Sequence, residues 1–265
     1  MTPVVLVLAD RADLGAAAVA RALAGRLGGY RVLPLSSAEL ARARWSHRVS
    51  AAGVATTRLT FPDGRVLTDA GTTAVLHRLS ALPVLGLGRA SPKDLDYARA
   101  ELHALVAGWL LGLGSRVLGL VSAYGTAHGP LSPTTALVHA ERCGLPVARS
   151  GGATRGGLLT ATAGELELPR PAWPGGANAP VPVEIRPEPG LDRLLYCGSR
   201  PVGRLADRYG PRLHRLAGLL GTRLFELRLG PGGSVTDVDP CPVLATAEQR
   251  AAVTDELVAL ARSGS

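Results

Sequence analysis

The start of the chain constrains the fold most, because a short apolar segment is followed by a capped helix and then by a second strand and helix. Val4-Val5-Leu6-Val7-Leu8 contains no polar residue, which is typical of a parallel strand that is buried on both faces. Asp13 can cap a helix that runs to about Leu27. Arg31 to Leu35 predicts a second strand and Ser37 to Arg44 a second helix. This order predicts an open α/β topology.

The next part of the chain extends this pattern and then interrupts it. Phe61-Pro62-Asp63-Gly64 is a tight-turn signal, so a hairpin is predicted around it. A strand is expected at Ala74 to Leu79, an amphipathic helix from Pro92 to about Leu113, and a strand at Val117 to Val121. Residues 151–180 hold seven glycines and four prolines, which indicates a linker or an irregular segment.

The last part of the chain again shows regular strand and helix patterns. Strands are predicted near Val181–Ile185, Arg193–Tyr196, Pro201–Leu205, Arg223–Leu229 and Ser234–Asp239, and helices at Tyr209–Leu220 and Ala247–Arg262.

Composition limits the class of protein. The 265 residues are 46% hydrophobic and 19% charged, which excludes a disordered chain. No apolar run reaches the ~18–20 residues of a membrane span, and no basic segment precedes the first apolar run, so neither a membrane span nor a signal peptide is expected. Cys143, Cys197 and Cys241 lie far apart in sequence, which suits a reducing compartment. We therefore expect a cytoplasmic protein.

The basic balance comes almost entirely from arginine. Of the 29 basic residues only Lys93 is lysine, and the formal net charge is +8. An arginine-rich, lysine-poor composition is typical of a GC-rich genome, and aromatic residues that could stack on bases are few, so nucleic acid is an unlikely partner. Arg208, Arg212 and Arg215 share one helix face, which is either an anion site or an ordinary solvated surface.

Three carboxylates near the end of the chain form the strongest candidate site. Glu226 lies in one predicted strand, and Asp237 and Asp239 are two residues apart in the next, after a glycine-rich turn. Residues two apart in a strand point to one face, so an antiparallel hairpin can bring Glu226 near both aspartates. Carboxylate oxygens are ligands that Mg²⁺ prefers. The alternative is an exposed hairpin face with unremarkable acids.

The order of these elements, ending in Asp237-Val238-Asp239-Pro240, resembles the C-terminal half of the ATP-grasp superfamily, which closes with a Glu-Val-Asn-Pro-like motif. The segment Pro182-Val183-Glu184-Ile185 and the segment Pro189 to Arg193 are similar to the family's adenine hinge and phosphate-contacting arginine. The N-terminal part resembles the pre-ATP-grasp domain of ribosomal S6 modification protein-like and peptide-maturing members. The resemblance implies a pre-ATP-grasp α/β domain over residues 1–120 and an ATP-grasp-like α+β domain with an antiparallel sheet over residues 121–265.

The resemblance also implies roles for individual residues. Glu226, Asp237 and Asp239 would hold the Mg²⁺ of ATP, Glu184 and Arg193 would contact the nucleotide, and Arg193 with Arg204 would compensate phosphate charge. ATP-grasp ligases normally carry a lid with lysines that grip the phosphates. Here residues 149–180 are few and contain no lysine, so the lid is expected to be truncated, with Arg155 as its phosphate-binding candidate.

Two functions, and one different fold, remain open from the sequence. The resemblance implies an ATP- and Mg²⁺-dependent ligase that activates a small-molecule or peptide carboxylate as an acyl phosphate for an amine or similar nucleophile. The alternative is a catalytically inactive relative that serves as a binding or partner subunit. A homodimer suits either function, since a second copy can cover a site that lacks its lid. An unrelated α/β nucleotide- or sugar-binding fold would lack the C-terminal antiparallel sheet.

Overall fold

The computed structural model describes residues 2–86, 88–121, 133–148, 151–153, 183–185 and 192–263. The strands, in chain order, are β1 (Val4–Leu8), β2 (Arg31–Leu35), β3 (Arg44–Val49), β4 (Ala55–Thr60), β5 (Val66–Thr68), β6 (Thr72–His77), β7 (Val117–Leu118), β8 (Gly151–Ala153), β9 (Val183–Ile185), β10 (Asp192–Cys197), β11 (Arg200–Val202), β12 (Leu224–Leu229) and β13 (Val235–Asp239). The helices are α1 (Leu14–Arg26), α2 (Ser37–Arg42), α3 (Pro92–Leu113), α4 (Pro133–Arg142), α5 (Ala206–Leu220) and α6 (Ala247–Ser263).

The N-terminal sheet is parallel, with the strand order β2-β1-β6-β7. Its central strand β1 is buried along its whole length, as the unbroken apolar segment predicts. Val5 and Val7 face α1 and α6, while Leu6 faces α3 on the other side. The carboxylate of Asp13 accepts a hydrogen bond from the Ala16 N–H at 2.8 Å and caps α1. The predicted open α/β topology is confirmed.

A three-stranded antiparallel sheet, in the order β3-β4-β5, follows α2. The predicted turn at Pro62-Asp63-Gly64 joins β4 to β5. The helix that was predicted to reach Arg44 ends instead at Arg42, and Arg44 begins β3, which the sequence patterns did not reveal. Trp45 of β3 meets Trp109 of α3 edge to face, with ring centroids 5.3 Å apart, so this sheet packs against α3.

The C-terminal sheet is antiparallel, with the strand order β11-β10-β12-β13. One face carries Leu194, Tyr196, Phe225 and Leu227 into a core that includes residues of α4 and α5. A separate antiparallel pair joins β8 to β9. The presence of the C-terminal antiparallel sheet removes the alternative of an unrelated α/β fold.

Helix α6 packs on both sheets. Its Val253 belongs to one buried cluster with Val5 of β1, Val19 of α1, and Leu195 and Leu224 of the C-terminal sheet. The two parts of the chain on either side of residue 120 therefore share a hydrophobic core, and the division into domains at that residue stays a prediction. None of the helices in the described ranges is long and apolar enough to cross a membrane.

Candidate functional site

The hairpin of β12 and β13 places the three predicted carboxylates on neighbouring strands. Glu226 lies directly opposite Asp239, and Arg228 lies directly opposite Asp237. The turn between the strands runs through Gly232 and Gly233, both with positive φ, a conformation that glycine adopts without steric cost. Asp237 and Asp239 are two residues apart in β13, so their side chains lie on the same face of the sheet as Glu226 and Arg228. This arrangement agrees with the predicted antiparallel hairpin.

Glu226 is fully buried, and both of its carboxylate oxygens have partners. Gln249 of α6 donates its Nε2–H to Oε2 at 2.8 Å, and the guanidinium of Arg193 lies 3.3 Å from Oε1. Burial raises the pKa of Glu226, while Arg193 and the Gln249 hydrogen bond lower it and Asp239 raises it. Desolvation is the largest cause, so the pKa lies above its ordinary value.

The two aspartates of β13 are half-buried, and each is hydrogen-bonded to nearby backbone. Asp237 Oδ1 accepts from the Val238 N–H at 2.9 Å, and Asp239 Oδ1 accepts from the Cys241 N–H at 2.8 Å. Asp237 Oδ2 lies 3.8 Å from Nε of Arg228. Over the part of the chain that the structure describes, no three His, Cys, Asp or Glu side chains are grouped as a metal site. Among the described residues no hydrogen bond is found to the second oxygen of Asp239, whereas both oxygens of Glu226 have partners.

The predicted arginines lie at the same end of the C-terminal sheet. Arg193 is the second residue of β10, and its side chain is 43% exposed beside the buried Glu226. Arg204 is 71% exposed and forms an ion pair and hydrogen bond with Asp192, the first residue of β10. Arg193 thus joins the carboxylate group directly, and Arg204 contacts the neighbouring end of β10.

The two remaining predicted residues belong to the less completely described part of the chain. Glu184 is the middle residue of β9 and pairs with Gly152 of β8. Arg155 lies outside the described residues, as does most of the interval in which the truncated lid is expected.

The sequence interpretation missed Gln249. It is the fourth residue of the segment Thr246-Ala247-Glu248-Gln249, a capping-box pattern in which the Gln249 N–H donates to Thr246 Oγ1 and the Thr246 N–H donates to Gln249 Oε1, both at 3.1 Å. That pattern was readable as a helix start. Its second use, in which the same side chain reaches Glu226, depends on how α6 packs.

Arg78 is a second missed residue, and it fixes the loop that follows β13. Its side chain is only 6% exposed; its Nε lies 2.5 Å from Asp13 Oδ2, and its Nη1 donates to the Pro242 carbonyl at 2.7 Å. Arg78 therefore ties the capped start of α1 to the loop directly after Asp239.

A cavity of about 480 Å³ opens at the carboxyl end of the N-terminal sheet. Alanines of α1 line its wall, and Asp10, Arg11 and Glu39 lie among its polar lining residues. Asp10 accepts a hydrogen bond from Ser37 at 2.6 Å. The lining contains none of the predicted site residues, so this cavity is distinct from the hairpin.

Comparisons with known proteins show the fold. No model of a protein family matches the sequence, and no curated protein matches it. The macrocyclase MdnC, in a structure bound with precursor peptide MdnA from Microcystis aeruginosa MRC, has a TM-score of 0.67 at 13% identity, over 97% of this chain and 99% of that one. The ATP-grasp ligase PsnB, complexed with minimal precursor, Mg and ADP, has a TM-score of 0.63 at 16% identity, over 97% and 98%.

A RimK domain ATP-grasp protein from Sphaerobacter thermophilus DSM 20745 is also similar, with a TM-score of 0.51 at 17% identity, over 96% of this chain and 99% of that one. These similarities span both the parallel and the antiparallel sheet. The chain therefore has the fold of these ATP-grasp proteins.

Proposed function

We propose that this protein is an ATP- and Mg²⁺-dependent ligase that acts on a carboxylate of a peptide. The observation that carries the proposal is the β12–β13 hairpin, which holds Asp237, Asp239 and Arg228 next to Arg193 within an ATP-grasp fold. Similar structures of that fold contain a precursor peptide, or a minimal precursor with Mg and ADP, which supports a peptide substrate and a nucleotide here.

The residues present fit a nucleotide-bound Mg²⁺ that is held mainly through the aspartates. Mg²⁺ in such sites usually takes one or two carboxylates, and phosphate oxygens and waters complete its octahedron. Asp237 and Asp239 are half-buried and meet that need, whereas Glu226 already has partners on both oxygens. We therefore assign Asp237 and Asp239 as metal ligands and give Glu226 the role of holding Arg193 and α6 in place. When bound, Mg²⁺ offsets the negative charge of the phosphates.

The basic side chains supply the remaining charge compensation. Arg193 is near the start of β10, and Arg204 contacts Asp192 at that start. Guanidinium groups bind phosphate oxygens well because they can donate two parallel N–H hydrogen bonds. Glu184 is proposed to contact the nucleotide base or ribose, and Arg155 to approach the phosphates from the short lid.

The proposed reaction has two steps. A carboxylate oxygen of the peptide attacks the γ-phosphorus of ATP, so that ADP leaves and an acyl phosphate forms. An amine or hydroxyl then attacks the acyl carbon, inorganic phosphate leaves, and the nucleophile loses its proton. Preorganised positive charge from Arg193 and Arg204 stabilises the phosphate oxygens in both steps.

Isothermal titration calorimetry with Mg·ATP tests the proposal. We expect the wild-type chain to bind Mg·ATP, and Asp239→Asn and Asp237→Asn each to weaken binding about tenfold or more, because a carboxylate ligand is lost. Asp96→Asn is the matched control, since Asp96 is an exposed carboxylate on α3 that forms an ion pair with the exposed Arg99. Absence of Mg·ATP binding by the folded wild-type protein would refute the proposal.

A second candidate function, a catalytically inactive partner subunit, is favoured by one observation. Glu226 is closed off from solvent by Gln249 and Arg193, so one member of the predicted metal trio is engaged in packing. This candidate predicts that Asp237→Ala leaves the protein's function unchanged. Loss of peptide-dependent ADP release in that variant, with unchanged circular dichroism, would contradict it.

We also propose a homodimer and a cytoplasmic location. Size-exclusion chromatography with light scattering checks the first, and a monomer at all concentrations would contradict it. Fractionation of cells that express the full chain checks the second.

A further inference from the structure

We propose that the exposed strand β3 binds an acidic peptide segment, which adds to the β3-β4-β5 sheet as a further strand. This inference rests on the proposed function, because a peptide whose carboxylate is to be activated carries negative charge there before the reaction. Strand β3 belongs to a different sheet from the β12–β13 hairpin. It assigns to this chain a surface that would select and hold its substrate.

The first observation is that β3 is an edge strand. It pairs with β4 on one side only, from Arg44 opposite Thr60 to Val49 opposite Ala55. On its other side no strand of the described chain pairs with it. An edge of this kind offers a row of backbone N–H and C=O groups, and extended peptides commonly bind by pairing with such a row.

The second observation is the separation of the two faces of the sheet. Trp45 and His47 point toward α3, where Trp45 meets Trp109 and His47 is hydrogen-bonded to Thr57 at 2.9 Å. The residues between them, Arg44, Ser46 and Arg48, are exposed. Successive side chains of a strand alternate between faces, so the outer face of β3 carries two arginines with a serine between them.

The third observation is the charge of that outer face. Arg58 of β4 lies opposite Ser46, between the two arginines of β3, and is also exposed. The sequences of β3, β4 and β5 contain three arginines and no acidic residue. None of the ion pairs found among the described residues involves Arg44, Arg48 or Arg58. The face thus carries positive charge that nothing on the sheet neutralises.

These observations define the chemistry of the peptide. Arg44 and Arg48 are four residues apart, which is about 13 Å along a strand. A strand added beside β3 would place its residues opposite Arg44, Ser46 and Arg48 on the same outer face, within reach of cross-strand ion pairs. The preferred peptide therefore has acidic side chains at alternate positions, on the face that carries Arg44, Ser46 and Arg48. Val49 and Val54, which are 63% and 59% exposed at the hairpin tip, suit an apolar residue at one end of it.

The test measures fluorescence anisotropy of a labelled octapeptide of alternating Thr and Asp with the full-length protein. We expect saturable binding that weakens as salt is added, and no binding of the matching Thr-Asn peptide. Arg44→Ser/Arg48→Ser should weaken binding roughly tenfold, since two exposed ion pairs are lost. Arg89→Ser/Arg262→Ser removes the same charge from two exposed positions elsewhere and should change binding less than twofold.

Backbone methylation separates strand addition from simple charge attraction. Methylation of the peptide amides that would face β3 should abolish binding, while methylation of the alternate set should be tolerated. Equal binding by both methylated peptides would overturn the assignment, as would an equal loss in the Arg89→Ser/Arg262→Ser control. Tighter binding of a single-stranded oligothymidine that displaces the peptide would also overturn it. If the arginines only protect the edge strand from self-association, the octapeptide should not bind at all. Absence of octapeptide binding would therefore also refute the proposal.

The same protein, titrated with Mg·ATP, distinguishes the two proposals. Nucleotide binding without binding of the octapeptide refutes the β3 site and leaves the proposed ligase standing. Binding of the octapeptide without nucleotide binding refutes the ligase and leaves β3 as a peptide-binding edge.

Discussion

Replacement of Gln249 by methionine probes how the buried carboxylate of Glu226 is supported. Methionine has a similar length but cannot donate a hydrogen bond to Glu226 Oε2 or accept one from the Thr246 N–H. A hydrogen bond to a charged group contributes about 1.5–3 kcal/mol, and a neutral one about 0.5–1.5 kcal/mol. At a pH above the raised pKa of Glu226, where its carboxylate is ionised, we therefore expect Gln249→Met to lower the free energy of unfolding by about 2–4 kcal/mol.

The loss should depend on pH in a definite direction. The pKa of Glu226 is raised in the folded protein, so the stability that its protonation contributes is present below the unfolded pKa and is lost as pH rises through the folded pKa. Without the Gln249 donor the ionised form is supported less, and that pKa rises further. At about pH 4, where Glu226 is protonated, two neutral hydrogen bonds are lost instead, and the destabilisation should be about 1–3 kcal/mol, which is about 1 kcal/mol or more below that for the ionised form.

Urea denaturation followed by far-UV circular dichroism, at about pH 4 and about pH 9, measures the difference, since a buried Glu can have a pKa as high as about 8–9. Glu248→Met is the matched control, because Glu248 is exposed beside Gln249 on the first turn of α6. Thr246→Ala isolates the cap contribution. The reasoning is refuted if Gln249→Met destabilises the protein equally at both pH values, or if Glu226→Gln leaves the pH dependence of that effect unchanged.

The remaining predictions concern a partly buried ion pair and two buried thiols. Arg78→Met leaves Asp13 and the Pro242 carbonyl without their buried partner, so the free energy of unfolding should fall by about 3 kcal/mol in urea denaturation; a loss below about 1 kcal/mol would show that the pair is not important for stability. Burial raises the pKa of Cys197 to about 12 and that of Cys241 to about 11, so neither thiol should react with iodoacetamide at about pH 8 in the folded protein, whereas both should react in urea. Mass spectrometry of the alkylated peptides checks this, and rapid labelling of either residue in the native state would contradict it.

Much of the fold was readable from local patterns. The apolar segment Val4–Leu8, the cap at Asp13 and the boundaries Pro92–Leu113 all match, because each depends on neighbouring residues in the chain. The antiparallel hairpin that brings Glu226 near the aspartates was also predicted, from a glycine-rich turn between two alternating segments. The register itself, with Glu226 opposite Asp239 and Arg228 opposite Asp237, was not.

The features that were missed depend on contacts that are distant in sequence. Strand β3 places Trp45 and His47 inward and arginines outward, so its inner face contains no run of aliphatic residues that periodicity can detect. Gln249 reaches Glu226 because α6 packs on the C-terminal sheet, and Arg78 reaches the Pro242 carbonyl because the loop before α6 packs against the N-terminal half. Those contacts are set by tertiary packing, which a short sequence window does not report.

The position of α6 in the chain also determines when, during synthesis, the apolar face of the N-terminal sheet is covered. This helix covers the face of the N-terminal sheet that carries Val5 and Val7, yet its residues 247–263 are synthesised long after that sheet. While the chain emerges from the ribosome, part of that apolar face therefore lacks its cover, and exposed apolar surface of this kind promotes aggregation. A chain truncated before α6 would contain every strand of the N-terminal sheet, but the apolar face that α6 covers would be exposed and could bind chaperones.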